Sequence, residues 1–360
     1  MSVTGKLRRW LNKVFNVGLR KVSMQFHTAL CDMTLRMVFQ ETMTDWKPDY
    51  VHAHDGISLP LAAKVAETTG AKLLFDSHEL ETHRNPPLPW LRKQQVVRLE
   101  RKYLPQADAV FTVGHKIADH LEETYRIKRP VVLYNSPRRK PLPLSDRLMT
   151  WDRTDVRSEL QVPRSSFLLT YTGNLTFNRG LEQAVVGLSK AADFPDFRAK
   201  YPGGIHFALV GRPVPAVVSA MERLRKKYGE AIHMHPLPPV AVHRVVDYIR
   251  TSDAAIACGI PLVLSYEFAM PNKLFESTLA GLPILASDLI EQRRFVRKNK
   301  LGLVYRADDT DDLAMKFSEL ALHLEQFQGR IQNNEDLIRK FSWEHQERKM
   351  LDVYKELEQD

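Results

Sequence analysis

The stretch "PNKLFESTLAGLPILASD", Pro271–Asp288, reads as a helix followed at once by a strand. Pro271 suits a first helical position, where its missing N–H costs nothing. Gly281 ends the helix and Pro283 enters the strand. Just after Pro271, the amides of Asn272, Lys273 and Leu274 lack intrahelical acceptors. With the helix dipole they form an anion site, and Lys273 adds a full charge. On a helical wheel Leu274, Phe275, Thr278 and Leu279 share a broad apolar face, with Lys273 and Glu276 opposite. Glu276, one turn below, suits the two hydroxyls of a nucleotide ribose. The plainer alternative is a surface Lys–Glu pair worth ~0.2–0.5 kcal/mol.

Working outward, short apolar runs alternate with helical patterns. Before residue 136 the runs are Tyr50–Asp55, "KLLFDSH" ending at His78, "AVFTV" ending at Val113 and "VVLYN" ending at Asn135. Helical spacing marks Leu59–Val65, Leu91–Leu104 and Ile117–Tyr125. A second series has strands at Phe167–Thr172, His206–Val210, Ala231–His235, Ala254–Cys258, Pro283–Ala286 and Leu301–Tyr305. After Gly180, Leu181, Ala184, Val185, Leu188 and Ala191 form one helical stripe facing a sheet. The alternation predicts an α/β chain of two doubly wound, Rossmann-like halves, with a cleft between them as the default binding site. The predicted limits are 1–140 for the first domain, 141–164 for a proline-rich, basic linker or surface loop, and 165–341 for the second domain.

The chain has 360 residues, 44% hydrophobic and 26% charged, which excludes disordered and collagen-like classes. Its net charge of +9 favours anionic partners without choosing among them. No basic strand interleaved with aromatics marks a nucleic-acid platform, so none is expected as a partner. Cys31 and Cys258 make neither a disulfide framework nor a zinc cluster, which fits a reducing compartment. The apolar stretch Ala254–Tyr266 is too short to span a bilayer, and the start lacks a secretory signal. A cytoplasmic chain is expected. The basic segment around Leu7–Val22 reads either as a helix on the anionic inner face of a membrane or as a cover for the first sheet.

In "LLTYTGNLTFNRGLEQAV" a strand ends at Gly173, a loop carries Asn174 and Arg179, and Gly180 opens a helix. Glycine allows close approach to a phosphate, which arginine grips bidentately. "HELETH" sets His78 and His83 five apart where the zinc helix needs four, and Pro86 and Pro87 follow, so no metal is expected. His52 and His54 share a strand face by period two, as do His233 and His235. "RRKP", Arg138–Pro141, reads as solvated linker.

From about Asp49 onward the chain resembles the glycosyltransferases of family 4, which have the two-domain GT-B fold. The resemblance rests on "VHAHDG", "FDSHEL", "LPQADAVFTVGHKIADHL", "LYNSP", "YTGNLTFNRGLE", "FALVGR", Pro271–Asp288 and "FSWEHQERKMLDVYKEL". It implies transfer of a sugar from a nucleotide-sugar, of the hexosyltransferase type, with retention at the anomeric carbon and neither metal nor other cofactor. Gly173, Asn174, Arg179 and Gly211 then fall in the donor-phosphate region. Pro271, Asn272, Lys273 and Leu274 lie beside the diphosphate, and Glu276 takes the ribose. His54 is the first-domain residue at the donor sugar, with His78 nearby in the cleft. The helix around Trp343, within 342–360, would cross back onto the first domain.

Three departures follow. Asn174 stands where the family often has a basic residue. The family often has two glutamates eight apart; here Phe268 holds that place and Glu267, the candidate second carboxylate, is one further out. No strand and glycine-rich turn precedes Asp49, so the first domain reads as shortened, truncated or completed by a partner chain. The expected acceptor is a glycan or a lipid-linked molecule, as in polysaccharide biosynthesis. The alternative function is a catalytically weak or partner-dependent protein that binds the donor without turnover alone.

Overall fold

The computed structural model describes residues 34–35, 37–139, 154–229 and 231–359. The basic segment near the start, Cys31 and most of the proline-rich stretch after Arg139 lie outside them. The chain divides into two compact units. The first comprises the described residues up to Thr112 with Ala118–Val131; the second comprises Val113–Ile117 with the chain from Val132 onward.

In the first unit, β1 (Tyr50–His54), β2 (Lys72–Ser77), β3 (Ala109–Thr112) and β4 (Val131–Val132) form a sheet in that order. The β1–β2 and β2–β3 pairs are parallel. Helices Asp55–Thr69, Trp90–Tyr103 and His115–Tyr125 follow β1, β2 and β3. "VVLYN" stays extended only to Val132. There the chain enters the second unit, and Tyr134 packs on Phe275 at 4.9 Å between ring centres.

Glu100, on the helix Trp90–Tyr103, is buried and accepts a hydrogen bond from the Tyr125 hydroxyl. Burial raises its carboxyl from 4.5 to about 7; the Tyr125 bond opposes that rise and Glu81 adds to it. The folded chain therefore holds a proton that the unfolded chain has released. This contribution is complete below the ordinary carboxylate range and is lost as pH rises through about 7. Between about pH 5 and about pH 8 it should cost ~2 kcal/mol of unfolding free energy. Glu100→Gln should flatten that slope. Urea midpoints at the two pH values check this, and an unchanged slope in the variant would contradict it.

The second unit holds β5 (Phe167–Thr172), β6 (Ile205–Val210), β7 (Ile232–Leu237), β8 (Ala254–Ala257), β9 (Ile284–Ser287) and β10 (Gly302–Tyr305). The order is β10-β9-β8-β5-β6-β7, with every pair parallel. All six residues of β5 are buried, as a central strand covered on both faces requires. Phe167, Leu169 and Tyr171 join one core with the helices Leu181–Ala192 and Thr310–Leu322. Leu168 points the other way, into a core with Val156, Ala208 and Ile249. The stripe Leu181, Ala184, Val185, Leu188 and Ala191 is fully buried, as its spacing predicts.

Residues 155–164 are not a free spacer. Asp155 caps the short helix Val156–Glu159, and Arg157 reaches Asp253 at 2.6 Å. The Asp253 carboxylate also accepts the Leu168 amide, which ties this segment to β5. Arg138 and Arg139 are likewise engaged rather than free in solvent. Arg138 pairs with Glu347 at 2.8 Å, and Arg139 pairs with Glu335. The helix Trp343–Leu357 clasps residues 132–138, where Gln346 accepts the Tyr134 amide and Lys349 donates to the Val132 carbonyl. Those residues belong to the second unit. No helix among the described residues is long and apolar enough to cross a membrane.

Candidate active site

In the second unit β5 and β8 lie side by side, yet their onward connections lead to opposite edges of the sheet. Such a switch point leaves a crevice at the carboxyl ends of the strands. The loop after β5 carries Gly173, Asn174 and Arg179, and the connection after β8 leads to the helix Asn272–Leu279.

The two connections meet. Gly180 has φ of +75°, and a Cβ there would stand 3.1 Å from the Gly259 nitrogen and 3.3 Å from the Cys258 Cβ. A side chain would therefore force the loops apart. From the other side, Lys273 Nζ lies 3.5 Å from where a Cβ on Gly173 would be. That ammonium sits 4.3 Å above the Tyr171 ring, while the Arg179 guanidinium sits 5.3 Å from the Tyr266 ring. Both cations are held by aromatic faces, which leaves their N–H groups for a ligand. Lys273 and Arg179 both act electrostatically on Cys258, whose thiol burial pushes up to about 12. Cys258 is thus an inert marker of the junction and no nucleophile.

The helix begins one residue later than its sequence predicts. Pro271 is the N-cap, with φ −69° and ψ 144°, and Asn272 is the first helical residue. The Leu274 amide donates to the Pro271 carbonyl at 3.0 Å, closing a tight first turn. The Leu274 side chain is fully buried. Leu274 therefore offers a ligand neither an N–H nor a side chain, contrary to its expected place in the donor set. The Asn272 and Lys273 amides have no acceptor among the described residues, so of the expected anion donors these two stay open.

Glu276 is half-buried and accepts a hydrogen bond from the Thr172 hydroxyl at 2.5 Å. Burial raises its pKa; the Thr172 bond and the Lys273 charge oppose that rise. Lys273 rests on Tyr171 without an ion pair to Glu276 among the described residues, so the simple surface-pair alternative does not describe these side chains.

Gly211 acts indirectly. Its amide is bonded to the Leu237 carbonyl, and a Cβ on it would stand 1.9 Å from the Gly173 oxygen. It is the floor on which the Gly173 loop rests. Asn174 is exposed, and its carbonyl accepts from the Tyr171 hydroxyl at 3.3 Å. Glu267 ends the helix Leu264–Glu267, next to Tyr266, and its carboxylate has no hydrogen bond or ion pair among the described residues.

His54 and His78 belong to the first unit. His54 ends β1, and the next residue, Asp55, turns the chain sharply with φ of +59°. His54 Nδ1 lies 3.4 Å from His78 Nε2. His83 turns instead to Thr82 and Lys93, so "HELETH" has no common focus. Sequence reading missed Tyr171, Thr172, Tyr266 and Asp76. Their signals are position only: Thr172 precedes the Gly173 turn, and Asp76 lies near the end of β2, two residues before His78.

Glycosyltransferase Family 4 matches residues 12–136, and Glycosyl transferases group 1 matches residues 167–323. Among curated proteins the chain is similar to the D-inositol 3-phosphate glycosyltransferase of Rhodococcus jostii (strain RHA1). The two are 23% identical over 346 residues, covering 91% of this chain and 71% of that protein. Among solved structures it is similar to sucrose-phosphate synthase from Thermosynechococcus elongatus, with a TM-score of 0.68 and 16% identity. That match covers 89% of this chain and 76% of the other. Anabaena Alr3699/HepE, solved in complex with UDP and glucose, gives a TM-score of 0.66 at 13% identity, covering 89% and 83%. These structures share the GT-B arrangement of two parallel α/β sheets. The chain belongs to the group 1 glycosyl transferases, with a family 4 first domain, and it is a glycosyltransferase.

Proposed function

We propose that this chain moves a hexose-type sugar from a nucleotide-sugar donor to a glycan or lipid-linked acceptor, with retention at the anomeric carbon. The second unit takes the donor. Its diphosphate lies against the Asn272 and Lys273 amides, the Lys273 ammonium and the Arg179 guanidinium. Leaving-group charge then grows against fixed donors, with no metal ion required there. The Glu276 carboxylate accepts hydrogen bonds from the ribose hydroxyls, and its bond from Thr172 fixes its orientation. Glu267 and His54 are assigned to the transferred sugar. The similarity to Alr3699/HepE, solved in complex with UDP and with UDP-glucose, supports the donor class. A cytoplasmic location, with the basic start touching the membrane face, goes with a lipid-linked acceptor.

One observation carries the reading: the loop bearing Arg179 and the connection leading to Lys273 meet at Gly180 and Cys258, one helical turn from Glu276. Calorimetric titration with UDP-, GDP- and ADP-sugars should give saturable binding to one of them. Glu276→Ala should weaken that binding ~10–100-fold, the value of hydrogen bonds to a charged acceptor. Binding to none, or a variant indistinguishable from the parent, would overturn the assignment. Donor binding without turnover until a second chain is added would favour the partner-dependent alternative.

A further inference from the structure

We propose that the first unit carries a binding site for a divalent transition-metal ion of the zinc class, formed by His54, Asp76 and His78. In the parallel register of β1 and β2, His54 stands directly beside Asp76. His78 follows Asp76 by two residues, one past the end of β2. His78 Nε2 lies 3.2 Å from Asp76 Oδ2, His54 Nδ1 lies 3.4 Å from His78 Nε2, and His54 Nδ1 lies 3.7 Å from Asp76 Oδ2.

These three separations bear on two arrangements. A hydrogen-bonded chain needs contacts near 2.9 Å, and two of the three are longer than 3.2 Å. Ligands around a tetrahedral ion, at metal–ligand distances of ~2.0–2.2 Å, stand ~3.4 Å apart, which all three atoms approach. Two imidazoles and one carboxylate also suit zinc-class ions rather than magnesium or calcium. Three protein ligands leave the fourth position for water or a substrate oxygen, as in catalytic rather than structural sites. His52 stacks on His54 with ring centres 4.6 Å apart and holds that ring's plane. It offers a further nitrogen within 4.8 Å of the His54 and Asp76 ligand atoms. The Asp76 side chain is 19% exposed and those of His54 and His78 are 57% and 50% exposed, so an ion has access.

His54 is also the residue proposed to meet the transferred sugar, so the test reads binding of the ion itself and not sugar transfer. The test uses the full chain, stripped with a chelator, and Zn²⁺ titrated against a chromophoric competitor. One equivalent should bind, and Co²⁺ in its place should give the intense visible bands of a four-coordinate ion. Asp76→Asn and His78→Gln should each weaken Zn²⁺ binding by more than ~10-fold, since even outer-shell partners of a metal are worth that much. His235→Ala, in the separate His206, His233 and His235 cluster, should leave it unchanged. Circular dichroism of the stripped proteins establishes that the variants fold. Should Asp76→Asn fail to fold, the half-exposed His78→Gln carries the test alone. Absence of saturable binding, unaltered affinity in the variants, or loss of the ion with His235→Ala would each overturn the proposal.

Discussion

Lys273→Ala is expected to lower kcat for sugar transfer by ~10²–10³-fold, the effect of removing one preorganised donor from developing charge. The ammonium is held 4.3 Å over the Tyr171 ring, beside the Gly173 turn and in the first turn of its helix. Its place is defined before substrate arrives, so no reorganisation is needed as the glycosidic bond breaks. The variant should keep its thermal midpoint, because Lys273 makes no ion pair among the described residues that the fold would miss. Lys273 also holds the Glu276 pKa down against burial. Without it the carboxylate ionises at higher pH, so the acid limb of the activity profile should move upward. Steady-state release of nucleotide, measured across pH, reads both effects. Parent-like kcat with an unmoved acid limb would remove Lys273 from the mechanism.

The second large effect comes from a residue that touches no substrate. Gly211→Ala places a methyl group 1.9 Å from the Gly173 oxygen and 2.6 Å from its carbonyl carbon. No rotamer relieves such a contact, because both partners are backbone. The segment is fastened by Gly173 N–H to the Val210 carbonyl at 2.9 Å and by Leu175 N–H to the Arg212 carbonyl at 3.0 Å. One or both bonds must yield. The expected cost is ~1–3 kcal/mol in urea unfolding, the usual price of overpacking. A displacement of about 1 Å in the phosphate loop should lower kcat/KM by ~10²-fold beyond that, through misplacement alone. A variant folded and as active as the parent would show that the Gly173 loop does not position the donor.

All ten strands of the described residues and the buried stripe after Gly180 were legible in the residues themselves, because periodicity and punctuation by glycine and proline are local. Where reading and structure part, the cause is a distant segment. "VVLYN" stops being strand at Val132 because Tyr134 finds a better site against Phe275 and Phe341. Arg138 and Arg139 look solvated until the last helices supply Glu347, Glu335 and Glu344. The helix start slips by one residue because the Leu274 amide closes on the Pro271 carbonyl, a choice no propensity foretells.

The same division holds for the site. Charge type and order along the chain pointed to an anion near Lys273 and Arg179, since a lysine in the first turn of a helix and an arginine in a glycine-bounded loop carry that chemistry. Which neighbours orient them was a matter of assembly. Tyr171 beneath the lysine, Tyr266 beneath the guanidinium and Thr172 on the Glu276 carboxylate come from strands and connections as many as 104 residues apart in the chain. Strand order sets such contacts: β8 pairs with β5 across the sheet, and nothing in either segment alone encodes that adjacency.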